Sequence, residues 1–150
     1  MSFVVQDMTL TRFQTMPAVF YKDDYATIEF DDSVPCVCLT LVGLPHYSEH
    51  YQFVQKKRLE LIRREAPNYH RLHMLTDSRL AGPVLDEDVE HFKSHVLPSM
   101  ADAGIRYLAI VMPSNKFTQL TIREMTMGSR AIKIQYFESL REAKKWLKSA

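Results

Sequence analysis

The chain has 150 residues, 46% hydrophobic and 25% charged, with a formal net charge of +1. That length suits one domain with a core large enough to fold without disulfides, and the near-neutral charge supplies no field that would favour nucleic acid or an anionic membrane. No apolar run approaches the roughly 20 residues of a membrane-spanning helix, and the N-terminus lacks the basic start and unbroken apolar stretch of a secretory signal, so a cytoplasmic protein is expected.

Residues 1–20 are apolar without a clean period, through Val4, Val5, Met8, Leu10 and Phe13, and Pro17 interrupts them. They read as an N-terminal arm or an extra edge strand, with the domain proper over 21–150. In 25–31, YATIEFD, Ala26, Ile28 and Phe30 alternate with Thr27, Glu29 and Asp31, which predicts a half-buried strand. Asp31, Asp32 and Ser33 supply a turn, and 36–42, CVCLTLV, is apolar on both faces, as a central strand would be. Cys36 and Cys38 share a face of it and read as small buried apolar residues, in keeping with a reducing compartment. Gly43 and Pro45 end the strand.

A helix is predicted from 46 or 48 to 65, with Ser48 as N-cap and a stripe of Tyr47, Tyr51, Val54, Leu61 and Ile62. Lys56, Lys57, Arg58, Arg63 and Arg64 fall mostly outside that stripe and read as a solvated face. Pro67 and Asn68 stop the helix, and a third strand covers 69–76. The loop TDSRLAGP follows, then a helix opening near Asp86 as N-cap, with Glu87 and Asp88 in its first turn and Val89, Phe92, Val96 and Met100 inward. Pro98 inside that pattern predicts a kink or a split, and Gly104 a stop. A central strand over 105–112, a weak helix over 115–127 and a half-exposed or edge strand over 131–137 follow. Ser139 and Glu142 form a capping box that opens a last helix, with Leu140, Ala143 and Leu147 inward and Trp146 at the margin. The order ββαβαβαβα predicts one α/β domain with a mixed, mostly parallel sheet of about five strands, the first antiparallel through its hairpin.

The densest polar cluster lies in 77–88, at the carboxyl end of a central strand, where open α/β sheets build their binding surfaces. Asp77, Ser78, Arg79, Asp86 and Asp88 are therefore the expected contact residues. The aspartates at the helix start read as dipole partners, and Arg79 as an ion-pair partner for one of the acids. No nucleophile elbow and no glycine-rich phosphate loop occurs. His91 and His95 stand four apart with Glu87 one turn earlier, a face that can chelate a divalent ion, but no further ligand is evident and HExxH is missing. His46 and His50 pose the same question, while His70 and His73 point to opposite faces. No catalytic residue, metal or cofactor is expected, and the scattered aromatics do not suit nucleic-acid stacking.

The landmarks YKDDYATIEFD, the LVG that ends the second strand, LTDSR, DAGIRYLAIVMP and IQYFESLREAKKWL run in this order over 21–148. Together they resemble the SpoIIAA-like, STAS-type small proteins, a group that includes STAS and CRAL-TRIO-like domains. The resemblance implies a STAS-like α/β fold and a non-enzymatic regulatory or protein-interaction role. Regulators of this type that are switched by phosphorylation share Asp-Ser-Ser-Gly at the start of the helix after the third strand. Here Leu85, Asp86, Glu87 and Asp88 stand in that place, so no phosphoryl switch is expected. The partner is expected to be another protein or a second copy of the chain, a homodimer forming through the arm or an uncovered apolar face. Two alternatives stand beside this reading: a carrier of a small apolar, lipid-like ligand lined by the eight methionines, and a metal-dependent enzyme built on Glu87, His91 and His95.

Overall fold

The computed structural model describes residues 18–150. Strands β1 (Ala18–Lys22), β2 (Ala26–Asp31), β3 (Cys36–Gly43), β4 (His73–Ala81), β5 (Tyr107–Val111) and β6 (Lys133–Phe137) form one six-stranded sheet whose spatial order follows the chain. β1, β2 and β3 pair antiparallel, and β3 to β6 pair parallel. The connecting helices are α1 (Ser48–Glu65), the rod α2 (Asp86–His91 and Leu97–Asp102 joined by a π turn, Phe92–Val96), and α3 (Lys116–Thr126); α4 (Leu140–Ser149) closes the chain. The protein is thus an α/β domain with a six-stranded mixed sheet and four helices among the described residues.

Parallel strands laid down in sequence, with crossovers of one hand, put every crossover helix on the same face. The larger core lies there: Tyr51 and Val54 of α1, Val89 and Phe92 of α2, and Ile122 and Met125 of α3 pack on Ile28, Leu39, Met74 and Leu108 of the sheet. Among the described residues the opposite face carries α4 alone, whose Ala143 and Leu147 cover Cys36, Cys38, Leu75, Ala109 and Val111. β3 is covered on both sides, which is why Cys36, Val37, Cys38 and Leu39 are all buried and why its sequence shows no alternation. Asp31 lies under α4 and is buried there, although it shares a strand face with the half-exposed Thr27 and Glu29. Lys144 donates to its Oδ2 at 2.7 Å, and the Ser33 amide and hydroxyl donate to its Oδ1. Among the described residues no helix is long and apolar enough to cross a membrane.

Four sequence expectations change. The sheet has six strands rather than about five, because Ala18–Lys22 pairs along β2 as an edge; the remainder of the expected N-terminal arm lies outside the described residues. β4 starts later and runs five residues further than expected, so 77–81 is strand and the loop shrinks to 82–85. The pairing partner decides this: β3 continues to Gly43, and Val42 and Gly43 pair with Leu80 and Ala81 after one extra residue of β4 bulges opposite Leu41. The split expected at Pro98 is present, but it takes the form of a π turn upstream of the proline rather than a break in the helix. The Leu97 amide reaches back five residues to the Phe92 carbonyl, and this wider turn accommodates the proline ring and its missing donor. Tyr47 and Leu85, not Ser48 and Asp86, take the N-cap positions of α1 and α2, and neither caps with its side chain. One half of the expected capping box forms: the Ser139 hydroxyl accepts from the Glu142 amide at 3.2 Å.

Candidate functional site

The carboxyl ends of β3 and β4 are tied together above the crossover helices. Gly43 adopts φ +70°, a left-handed conformation that suits glycine, and its carbonyl accepts from the Gly82 amide at 2.8 Å. Gly82 sits so close to Leu44 that a Cβ there would fall 2.8 Å from the leucine Cδ2. This junction roofs a cavity of about 50 Å³ between the sheet and α1, α2 and α3. Leu39, Leu108, Ile110, Ile122 and Met125 make its walls apolar; Gly43, Pro45, Ala81 and Leu85 lie at its mouth.

Four ionisable side chains line this space, Tyr25, Tyr51, Arg58 and Asp88, beside neutral polar groups that include Gln55, Thr76 and Ser78. Arg58 is 1% exposed. Its guanidinium donates to Thr76 Oγ1 at 2.8 Å and Gln55 Oε1 at 2.6 Å, both neutral acceptors, and its Nε has no partner. Among the described residues no carboxylate lies within ion-pair distance of it; the Phe92 ring centroid lies 5.8 Å from its Cζ. Burial lowers its pKa to about 10, so it stays cationic at neutral pH. Asp88 is likewise 1% exposed, and neither carboxyl oxygen meets hydrogen-bond geometry with the protein. Burial raises its pKa; the nearby Ser48 hydroxyl opposes that rise and Glu87 adds to it. The Tyr51 hydroxyl is also buried without a partner, and burial pushes the pKa of both Tyr51 and Tyr25 up.

Arg58 was expected on a solvated face, and the structure overturns that. It falls four residues after Val54 and seven after Tyr51, on the buried stripe that also holds Gln55, Leu59, Leu61 and Ile62. The helical spacing carried this signal; the neighbouring Lys56 and Lys57 masked it.

The expected contact residues divide. Ser78 and Asp88 are buried and line the cavity. Asp77 is buried too, its Oδ1 and Oδ2 accepting from Arg79 Nε at 2.9 Å and Nη2 at 2.7 Å, while Arg79 stays exposed. Asp86 is exposed on the first turn of α2. Around them the sheet end carries large exposed apolar side chains: Val42, Leu44, Tyr47, Leu80 at 69% and Leu85 at 55%.

The histidines are placed as follows. His91 and His95 stack with ring centroids 5.0 Å apart, His91 Nδ1 is buried without a partner, and burial lowers the His91 pKa. His46 and His50 bond to Asp24 and Asp23 at 3.0 and 2.8 Å, fastening α1 to the β1–β2 turn. His73 is buried in β4. Among the described residues no three His, Cys, Asp or Glu side chains converge as a metal site would require. The two cysteine thiols lie 3.3 Å apart in the α4-covered core, and the Cys38 contact and burial push the Cys36 pKa far above the range of a reactive thiolate. Compared with protein-family models and with curated proteins, the chain matches none.

Proposed function

We propose that this chain is a non-enzymatic regulatory module of STAS-like type that docks a protein partner on the rim at the carboxyl ends of β3 and β4. The observation that carries the reading is the exposed apolar rim. Val42 and Leu80 are cross-strand neighbours, Leu44 packs against the Gly82 junction, and Leu85 flanks the same mouth. Apolar side chains gathered at one end of a domain mark interaction surfaces more often than scattered ones do. Support also comes from the order of sequence landmarks that resembles STAS-type proteins and from a mixed sheet with helices on both faces.

In this reading the contact surface is Arg79, Leu80, Leu85 and Asp86, with Asp77 fixing the arginine and Ser78 and Asp88 facing inward. Control does not run through phosphorylation at the start of α2, where no serine stands between Leu85 and Asp88. The test compares capture of proteins from cells by the wild-type chain, by Leu80→Asp with Leu85→Asp, and by Arg79→Ala with Asp86→Ala, with Phe117→Asp as an exposed apolar control elsewhere. Loss of one specific protein from both double variants but not from the control supports the rim. Identical capture by all four chains overturns it, and native mass spectrometry tells a second copy from a different partner.

A further inference from the structure

We propose that the cavity beneath the β4–α2 junction is a binding site for a small aliphatic hydroxycarboxylate, with Arg58 and Tyr51 holding the carboxylate and Asp88 the hydroxyl. This goes beyond partner docking and does not depend on it.

Asp31 is held by Lys144 and Ser33, and Asp77 by a two-point ion pair with Arg79. The fold therefore pairs its buried carboxylates where it has a partner within reach. Arg58 and Asp88 break that rule, and both line the same cavity. A cation buried among neutral acceptors carries a desolvation cost that no ion pair offsets. Such a guanidinium, with Nε unused and its planar fork beside an apolar space, matches a carboxylate. The Tyr51 hydroxyl, buried and unpartnered, supplies a further donor.

Asp88 sets the second requirement. Neither of its oxygens meets hydrogen-bond geometry with the protein, although the Ser48 hydroxyl lies nearby, so an occupant that brings a donor is favoured over one that does not. A hydroxyl suits this better than an ammonium group. It pairs with the acid in either ionisation state, and it carries no charge into walls made of leucine, isoleucine and methionine. Size sets the third. At roughly 10–15 Å³ for each water-sized group, about 50 Å³ has room for a few such groups and none for a lipid tail. The chemistry is that of a short acid with a hydroxyl a few bonds away, in a site whose mouth lies between Pro45 and Leu85.

The experiment titrates the intact protein with glycolate, acetate and ethylene glycol, following the methyl resonances of Leu39, Leu108, Ile110 and Met125. The expected result is a saturable shift of these methyls, strongest for the hydroxy acid, weaker for acetate and weakest for the diol. Tyr51→Phe, which keeps the shape and removes only the unpartnered hydroxyl, should weaken glycolate three- to tenfold. Arg58→Met should weaken it ten- to a hundredfold, the range of a lost hydrogen bond to a charged group. Equal binding of the diol and the acids would overturn the carboxylate assignment. So would unchanged affinity in Tyr51→Phe and Arg58→Met together. Absence of any saturable shift in wild type would leave a cavity that takes water alone, and would overturn the site without needing a variant.

Discussion

Replacing Arg58 by methionine separates a lone buried cation from half of a hidden ion pair. Removing one partner of a buried pair strands the other charge and costs about 3–5 kcal/mol, whereas replacing a buried charge by an apolar side chain of similar volume is often neutral or stabilising. Arg58 touches no carboxylate, so the stranding cost does not arise. What is lost is the pair of bonds to Thr76 and Gln55, about 1.5–3 kcal/mol each for a charged donor, and the desolvation of the guanidinium returns a similar amount. Arg58→Met should therefore change unfolding free energy by less than about 2 kcal/mol in either direction. Lys144→Met is the internal control, since it strands Asp31, which is 4% exposed. Lys144 keeps about a quarter of its side chain in solvent, so the control falls at or below the low end of the buried-pair range, near 2–3 kcal/mol. Urea unfolding at neutral pH, with both variants against wild type, reads the order directly. Arg58→Met costing more than Lys144→Met would refute the reasoning, because it would mean that Arg58 neutralises a buried charge.

Leu39 is fully buried at the centre of the sheet beneath α1, so Leu39→Ala should cost about 2–5 kcal/mol in the same urea assay, and a cost below about 1 kcal/mol would mean that the cavity beside it collapses to fill the space. His73 is buried in β4, and burial together with Arg71 holds its pKa below the usual histidine value. The unfolded chain then binds a proton that the folded chain resists, so stability is full above about pH 6.5 and falls as pH drops through the unfolded value toward the folded one. His73→Gln should flatten that acid limb, and an unchanged slope would show that other groups set it. Asp88 carries the opposite sign for an acid. Its raised pKa makes the folded state most favourable when the group is protonated, and stability declines as pH rises from the unfolded carboxyl value, about 3.9, toward the folded one. Asp88→Asn should therefore be more stable than wild type at neutral pH and lose that advantage in acid; lower stability at neutral pH would mean that the carboxylate has a donor.

The elements legible in the sequence were those whose pattern is local. Alternation in 26–30, the doubly apolar run of β3 and β5, and the Ser139 and Glu142 box each follow from which residues face the sheet or the helix start. Elements fixed by a distant partner were not legible. β4 is extended through Ala81 because β3 offers it backbone groups to pair with, a fact that residues 77–81 do not contain. Pro98 is absorbed because the helix widens one turn upstream, which hydrophobic spacing does not record. At the candidate site the place of the polar side chains in the fold was legible and their orientation was not. The carboxyl end of the central strands does hold the polar cluster, but the extra residue of β4 and the tight Gly43–Gly82 junction turn Ser78 and Asp88 inward. Arg58, the most consequential residue there, lay in plain view on the buried spacing of α1, hidden by the two lysines before it.

The two faces of one sheet handle buried polarity differently, and the contrast bears on what the interior serves. Beneath α4, Asp31 meets Lys144 and Ser33, and the two thiols meet each other; the orphan polar atom on that side is His73 Nδ1, beside Tyr107. Beneath α1, α2 and α3, Arg58 Nε, the Tyr51 hydroxyl and both Asp88 oxygens lack protein partners. If that cluster served stability, apolar residues of equal size would do better, because half-satisfied buried polar groups are worse than a dry core. Burial depth does not explain the contrast, since Asp31 and Asp88 are both almost fully enclosed. What distinguishes Asp88 and Arg58 is the cavity they share and the mouth that opens beside Leu85. The same short loop, 82–85, thus roofs the polar interior and carries part of the exposed apolar rim, so any change that moves it must alter both surfaces at once.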